Sequence, residues 1–392
     1  MSPSPSHPAR LPLEGINVVE IGQALAGPLS GVILADLGAE VIKIEKPGGG
    51  DDARLWGPMA TEDASLMFNA TNRSKKSVIL DLKAPDDLEK LYALIREADI
   101  CIQNLRAGVA EKGGFGPAAL MEVNPRLIYC QITAFGEDGP LAMHPGMDPL
   151  AQAYGGVMTL TGRPDDPPTF CAPAINDTAT GMWAVIGALA ALEERRHTGK
   201  GKAIGCSLFE SAVHWVNNPL NTYNFTGQAP VRTGAASPNL IPYQVFETAD
   251  RPICLAAGNN RLFLKFAAEI GRPEWCDDAR FNTPGPRFEH RDILIPMIAE
   301  ILAADTCENW IRRLEGVGVP CSPVNDIPAL AETEQLKAVK MVQDVPGRDF
   351  RLTGLPLTLD GERPPIRAAS PGLGEHTEEV LGALGPGAKA AE

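Results

Sequence analysis

The stretch Ile16-Asn17-Val18-Val19-Glu20-Ile21-Gly22-Gln23-Ala24-Leu25-Ala26-Gly27-Pro28, continued by residues 29–37 and by Glu40-Val41-Ile42-Lys43-Ile44-Glu45, decides the fold. Residues 16–21 are a short β-branched run, 22–28 a Gly/Ala loop, 29–37 an apolar pattern at helical spacing, and 40–45 a second strand. This is a βαβ unit. The alternation continues with a strand at 78–82, a helix at 85–97 opened by Pro85, and a strand at 100–104. Helical residues around 106–112 and 117–123 then lead to a strand at 127–135. Strands separated by helices imply an α/β protein with a mostly parallel sheet covered on both faces. Ligands of such sheets bind beyond the carboxyl ends of the strands.

Farther out, residues 140–173 are rich in Pro and Gly, and long irregular segments of this kind commonly carry function. A long helix is expected over 176–197, stopped by Thr198-Gly199-Lys200-Gly201, then a strand at 203–207 and a helix from Leu208. Composition changes at 217–242, which is rich in Asn, Thr and Pro. Residues 243–248 and 253–257 read as a hairpin around Asp250-Arg251, and 261–270, 291–303 and 310–316 as helices, the last leading to 319–324. Residues 366–373 read as extended and 377–384 as helical. The expected organisation is a large domain over 11–215, a linker over 216–240, and a smaller α/β domain over 241–330. Residues 331–385 return to the large domain and complete it with a C-terminal helix.

At about 150 residues per domain, 392 residues supply two or three domains and an ample core. Acidic residues number 49 and basic residues 35, giving a formal charge of −14 that opposes binding to an extended phosphate backbone. No nucleic-acid partner is expected. The longest charge-free apolar run, 178–192, has about 15 residues against the roughly 18–20 of a membrane span, so it reads as a buried helix and no membrane partner is expected. Residues 1–10 are rich in Pro and Ser with no apolar core of a secretory signal, and the expected location is cytoplasmic. The eight cysteines contain no C-x-x-C pair and read as buried free thiols, neither metal ligands nor disulfides.

Several residues have the chemistry of a site. The loop 22–28 places small residues where a helix begins, so it either meets an anion with its backbone N–H groups or packs strand tightly on helix. It is not G-x-G-x-x-G, and Lys46-Pro47-Gly48-Gly49-Gly50 after Glu45 is unlike a nicotinamide site, so a dehydrogenase is rejected. Arg73-Ser74-Lys75-Lys76, Lys83, Asn104-Leu105-Arg106 and Lys112 fall near neighbouring strand ends, where they either converge on one anion or stand as solvated charges. Asp148 is a single carboxylate in an uncharged stretch: an Asx turn or helix cap on one reading, a nucleophile on the other. Asp177 reads as an N-cap of the long helix, and His144 as a surface residue or an acid/base. No Ser–His or Cys–His arrangement supports a hydrolase triad.

These pieces resemble the class III CoA-transferases, the carnitine-CoA-transferase and formyl-CoA-transferase family. The resemblance rests on Leu13-Glu14-Gly15 with Ala26-Gly27-Pro28, on Leu34-Ala35-Asp36-Leu37-Gly38-Ala39-Glu40, and on Lys75-Lys76-Ser77-Val78 with Leu80-Asp81-Leu82-Lys83. It extends through Asn104-Leu105-Arg106-Ala107-Gly108-Val109, Asn124-Pro125-Arg126, Met147-Asp148 with Gln152-Ala153 and Gly155-Gly156, Pro242-Tyr243-Gln244, Gly318-Val319-Pro320 and Gly374-Glu375-His376-Thr377. It implies a Rossmann-like large domain, an interlocked ring-shaped homodimer, and no prosthetic group, with coenzyme A entering as acyl-CoA substrate. It assigns Asp148 as the catalytic aspartate. That residue would attack the thioester of an acyl-CoA donor, form a mixed anhydride and then an aspartyl-CoA thioester, and pass CoA to a carboxylic acid acceptor.

The CoA-contacting positions implied are Gln23, Ala24, Leu25 and Ala26 in the first loop, Lys46, Leu80 and Lys83 in the adenine and phosphate region, then Asn104, Leu105, Arg106 and Lys112. Met182 is implied near the pantetheine end. Succinyl-CoA is the candidate donor, with Arg54, Arg163 or Arg232 holding a distal carboxylate. The family's Gly-rich mobile loop has only Gly258-Asn259-Asn260 in its place, which speaks against oxalate. Two alternatives remain: a 2-methylacyl-CoA racemase, although Met147 stands where those enzymes usually carry His, and a non-catalytic CoA-binding protein. The charge conflict with a phosphate-bearing ligand is met locally, by Lys46, Lys75, Lys76, Lys83, Arg106 and Lys112 on the N-terminal sheet.

Overall fold

Runs of β-branched residues buried on both faces form the strands of a parallel sheet, and the helices between them cover it. In the computed structural model, which describes residues 10–384, the order is β1 (Asn17–Ile21), α1 (Ala26–Asp36), β2 (Glu40–Glu45), α2 (Leu66–Asn72), β3 (Lys76–Ile79), α3 (Pro85–Arg96), β4 (Ile100–Gln103), α4 (Val109–Lys112), α5 (Pro117–Val123) and β5 (Ile128–Thr133). Then come α6 (Asp148–Tyr154), α7 (Val157–Leu160), α8 (Ile175–Thr198), β6 (Lys202–Ser207), α9 (Leu208–Trp215) and α10 (Asn217–Thr226). The six strands lie in the order β3-β2-β1-β4-β5-β6, all parallel. Val18 of β1 pairs with Val41 and Ile100 and faces the core under α1 and α8, while Val19 faces the opposite core with Leu91, Leu94 and Leu120.

Packing divides the chain into two units. One comprises residues up to Val157, Phe170–Gly227 and those from Lys337 onward; the other comprises Met158–Thr169 and Gln228–Leu336. The second unit contains β7 (Tyr243–Phe246), β8 (Ile253–Ala256), α11 (Asn260–Glu269), α12 (Pro284–Glu289), α13 (Arg291–Leu302), α14 (Cys307–Gly316), β9 (Cys321–Pro323) and α15 (Ile327–Glu332), with α16 (Glu334–Ala338) at its edge. Its three strands form an antiparallel sheet backed by Phe263, Phe266, Leu294, Ile298 and Trp310. The returning chain adds a ribbon, β10 (Val342–Asp344) with β11 (Arg351–Thr353), and α17 (Thr377–Ala383). It docks on the edge strand, where the Thr377 hydroxyl accepts from Ile79 N and His376 N donates to Ser77 O.

Four expectations need correction. The linker read at 216–240 contains a helix, α10, which belongs to the first unit. None of its residues is buried, so no apolar period marked it. Residues 158–169, read within the large domain, belong to the second unit. Strand β3 starts two residues before the predicted 78 and ends three before the predicted 82. The helix built around the apolar run is longer than the run: α8 has 24 residues, long and apolar enough by itself to cross a membrane, and here it packs on α1, β5, β6 and α9.

A buried ion network lies beneath the first unit's N-terminal strands. Lys43 of β2 donates to Glu20 at 2.9 Å and to Gly22 O at 2.7 Å, and pairs with Asp51 at 3.0 Å. Lys75 donates to the other Glu20 oxygen at 2.6 Å, to Pro28 O and to the Asn72 side chain. Burial pushes the Lys75 ammonium down to about 8, against the pull of Glu20. The network leaves no room on α1: a Cβ at Gly31 would lie 1.9 Å from Glu20 Oε2 and 3.0 Å from Lys75 Nζ. Gly31→Ala is therefore expected to destabilise the fold by about 3 kcal/mol, measured by urea unfolding; an unchanged midpoint would show that the network yields.

Candidate active site

The connections leaving β1 and β4 diverge, one through α1 to β2 and the other through α4 and α5 to β5, so the loops at their carboxyl ends part. Two cavities open there. One, of about 470 Å³, is lined by Lys46, Leu80, Lys83, Lys112, Val109 and Phe115. The other, of about 220 Å³, is lined by the loop 23–26, Asn104, Arg106, His144, Met147 and Asp177. Gln23 and Leu105 border both, so the two form one groove across the strand ends.

The first loop is held in shape from below. Ala24 sits at φ +64°, an unfavourable conformation for a residue with a Cβ, and its N–H donates to Asp51 Oδ1 at 3.0 Å. Gln23 N donates to the Asn104 side chain and Gln23 O accepts from it, both at 2.8 Å. Asn104 thus clamps the loop that the groove uses. Asp51 reaches Lys43, so the buried network fixes the loop as well.

The predicted basic cluster separates into two groups. Lys46, Lys83 and Lys112 line the larger cavity and Arg106 the smaller. Lys46 pairs with Asp52 at 2.6 Å, whereas among the described residues no carboxylate pairs with Lys83, Lys112 or Arg106. Lys75 is spent on the buried network, and Arg73 donates to Asp36. Lys76 opens β3 at the end away from the groove and pairs with Glu40 and Glu379. Leu80 and Leu105 supply apolar wall, but Met182, half-exposed on α8, borders neither cavity. Arg54 cannot hold a substrate, because it is buried and doubly bonded to Glu45. Arg163 and Arg232 lie in the second unit, and Arg232 donates to the carbonyls of Pro164 and Pro167. Gly258-Asn259-Asn260 is no open loop: Asn259 caps α11 and Gly258 O accepts from the buried Arg287.

Two carboxylates meet at the head of α8, Asp148 in the helix-capping role that is one of its two sequence readings and Asp177 outside the capping role read for it. Asp148, only 4 % exposed, does not line the groove. Its Oδ1 accepts from Gln152 Nε2 at 2.5 Å, and its Oδ2 accepts from the N–H groups of Asn176 and Asp177 at 2.7 and 3.1 Å. Asp148 is thus the cap of α8, supplied from α6. Asp177 was read as that cap. It instead stands at the third helical position, inside the first turn, with its side chain on the wall of the smaller cavity. Burial first, and the negative charge of Asp148 second, push the Asp177 carboxyl up to about 7. Sequence reasoning gave Gln152 no task; its only signal was a position four residues after Asp148, one helical turn along the same face.

An acid with a raised affinity for protons costs the fold stability when it ionises. From its ordinary value of 3.8 up to about 7, the folded state holds a proton at Asp177 that the unfolded chain has released. This contribution is full below pH 4 and is lost as pH rises through 7. Asp177→Asn is expected to raise Tm over the parent clearly at pH 8 and far less at pH 5, measured by thermal unfolding; equal shifts at both values would refute the raised affinity.

Comparison with known proteins follows this geometry. The family described as CoA-transferase family III matches residues 13–377. An acetyl-CoA:oxalate CoA-transferase of Acetobacter aceti is 36% identical over 366 residues, 93% of either chain. A succinate–glutarate CoA-transferase of Agrobacterium fabrum is 36% identical over 387 residues, 95% of this chain and 96% of the relative. The crystal structure of a CAIB/BAIF family protein from Brucella suis superposes with a TM-score of 0.86 at 36% identity, covering 96% of this chain and all of that one. With sequence and fold agreeing along nearly the whole chain, this enzyme belongs to the CoA-transferase family III.

Proposed function

We propose that the enzyme transfers CoA from an acyl-CoA, with succinyl-CoA the first candidate, to a dicarboxylic acid through a covalent aspartyl intermediate, and that Asp177 is the nucleophile. The observation carrying this reading is that Asp177 is the carboxyl on the wall of the smaller cavity, while both oxygens of Asp148 are engaged by buried donors. The sequence resemblance had assigned the attack to Asp148. In the proposed reaction the Asp177 carboxylate adds to the thioester carbonyl, the C–S bond breaks, and CoA leaves as thiolate from a mixed anhydride. The thiolate then attacks the Asp177 carbonyl and the donor acid departs, leaving an aspartyl-CoA thioester. The acceptor carboxylate attacks that thioester, and the thiolate finally takes the acceptor's acyl carbon and frees Asp177.

The chain's own groups suit each demand. Lys46, Lys83 and Lys112 line the larger cavity together with Glu45 and Asp81; Lys46 pairs with Asp52, and Lys83 and Lys112, which no carboxylate pairs with among the described residues, are the cations open to the phosphates of CoA. Gln23, Ala24, Leu25 and Ala26 with Asn104, Leu105 and Arg106 line the path from there to Asp177. The acids in the relatives' names, oxalate, succinate and glutarate, are all dicarboxylates. An oxalate enzyme among relatives at 36% identity keeps oxalate among the candidate acceptors, beside the argument against it from the missing Gly-rich loop. The eight unpaired cysteines fit a reducing, cytoplasmic setting.

An interlocked homodimer is part of this proposal. The exposed face of α8 carries Met182, Trp183, Ile186 and Leu189, and α9 and α10 expose Trp215, Leu220, Tyr223 and Phe225. A contiguous apolar surface of this extent suits burial against a second copy. Light scattering is expected to give twice the 41.7 kDa chain mass; a monomer at micromolar concentration would overturn the dimer.

The covalent step is tested by incubation with succinyl-CoA, trapping with hydroxylamine and peptide mapping. A hydroxamate on the peptide holding Asp177 is expected. Label on Asp148 would restore the sequence assignment, and no label together with deuterium exchange at the α-carbon of a 2-methylacyl-CoA would establish the racemase instead.

A further inference from the structure

Gln152 is fully buried, and its amide is held at both ends. Nε2 donates to Asp148 Oδ1 and to Cys171 O at 3.0 Å, while Oε1 accepts from Cys171 N at 2.8 Å. Turning the amide over would set oxygen against two oxygens and nitrogen against an N–H, so only one orientation is satisfied. The same side chain therefore ties α6 to the segment that enters α8. It also fixes the distance between the two helices' carboxylates.

Asp148 receives three hydrogen bonds, two of them from the first turn of a 24-residue helix whose dipole presents positive charge there. Donors of this kind complement negative charge on the oxygens they reach. Among the described residues no cation pairs with it, so its charge is held but not cancelled. That charge lies directly behind Asp177, whose own backbone N–H is one of the donors. The other charged groups around the Asp177 side chain are Arg106 and His144 across the smaller cavity. The facing turn of α1 begins with Ala26 and contributes no charge; α9 contributes Leu208, its Glu210 being bonded to Ser207.

We infer that the buried Asp148–Gln152 pair is a positioning device for the transfer reaction, seating the Asp177 backbone and holding a permanent negative charge behind its carboxylate so that Asp177 becomes a stronger nucleophile. The inference rests on the reading of Asp177 as the attacking group. An isolated carboxylate is a weak nucleophile, and a like charge held nearby raises its energy in the free state. Acylation removes the Asp177 charge and with it the repulsion, so the device favours the covalent state over the free pair. The raised proton affinity of Asp177 is the equilibrium sign of the same repulsion.

The test measures the single-turnover rate of adduct formation against pH, with mapping of the labelled aspartate. In the parent enzyme the rate is expected to rise with pH through about 7, as Asp177 ionises, with label on Asp177. Asp148→Asn is expected to move that limb down by about one pH unit and lower the plateau about 10- to 100-fold, with KM for acyl-CoA changed less than about threefold. Asp148→Glu restores the limb. Gln152→Leu, which keeps the carboxylate but removes one donor, shifts the limb in the same direction by less, and it serves as the reading if Asp148→Asn does not fold. A limb that stays in place in both variants overturns the positioning role and leaves Asp177 as nucleophile. Label on Asp148 in the parent overturns the underlying reading instead.

Discussion

The structure depends on a few charges that have been taken wholly out of water. Glu20, Lys43 and Lys75 have no exposed side-chain area, and each bonds to backbone as well as to its partner or is bonded through it to the next strand. Desolvating such ions costs several kcal/mol apiece, which close pairing roughly returns, so the network is a poor source of net stability. What it provides is geometry. Lys43 holds Gly22 O, Lys75 holds Pro28 O, and Asp51 holds Ala24 N, so the loop between β1 and α1 is gripped before, within and after its tight bend. An apolar core of equal volume would pack the strands but would leave that loop's backbone free to choose its conformation.

Sequence pattern revealed the parts of the fold that rest on periodicity. The βαβ alternation placed the strands of the parallel sheet to within about three residues, because strands buried on both faces write themselves as unbroken β-branched runs. It did not reveal α10, which lies in a stretch rich in Asn, Thr and Pro and buries none of its residues. Nor did it reveal that residues 158–169 leave the first unit and come back, since membership of a unit is decided by packing between distant segments. The basic residues were misjudged in a similar way. Lys75 and Lys83 look alike in sequence, yet one is consumed by Glu20 below the sheet and the other stands free at the groove.

The carboxylate pair is the clearest limit. Asp148 stands alone among small apolar residues, which suggests an accessible reactive group, and Asp177 opens a long helix, which suggests a cap. Both inferences are locally sound. Neither takes into account that a helix end can be capped by a residue from another element: Asp148 is 28 residues from the amide of Asn176 that it accepts from. Once that cap is supplied from α6, the acidic residue of α8's own first turn is released from local duty and turns to the cavity.

Charge along the groove follows from the same division of labour. A chain with formal charge −14 keeps three lysines on the wall of the larger cavity, beside Glu45 and Asp81, while the smaller one is walled by Asp177 with Asp148 buried behind it. A ligand with phosphates at one end and an uncharged thioester at the other matches this gradient at both ends, whereas a free dicarboxylate meets repulsion from Asp148 and Asp177. Arg106 is the cation on that wall placed to offset it. In the proposed reaction the repulsion falls when Asp177 is acylated, so the acceptor acid would enter a site less negative than the resting one. Charge alone thereby favours the order in which the donor thioester reacts first and the free acid second.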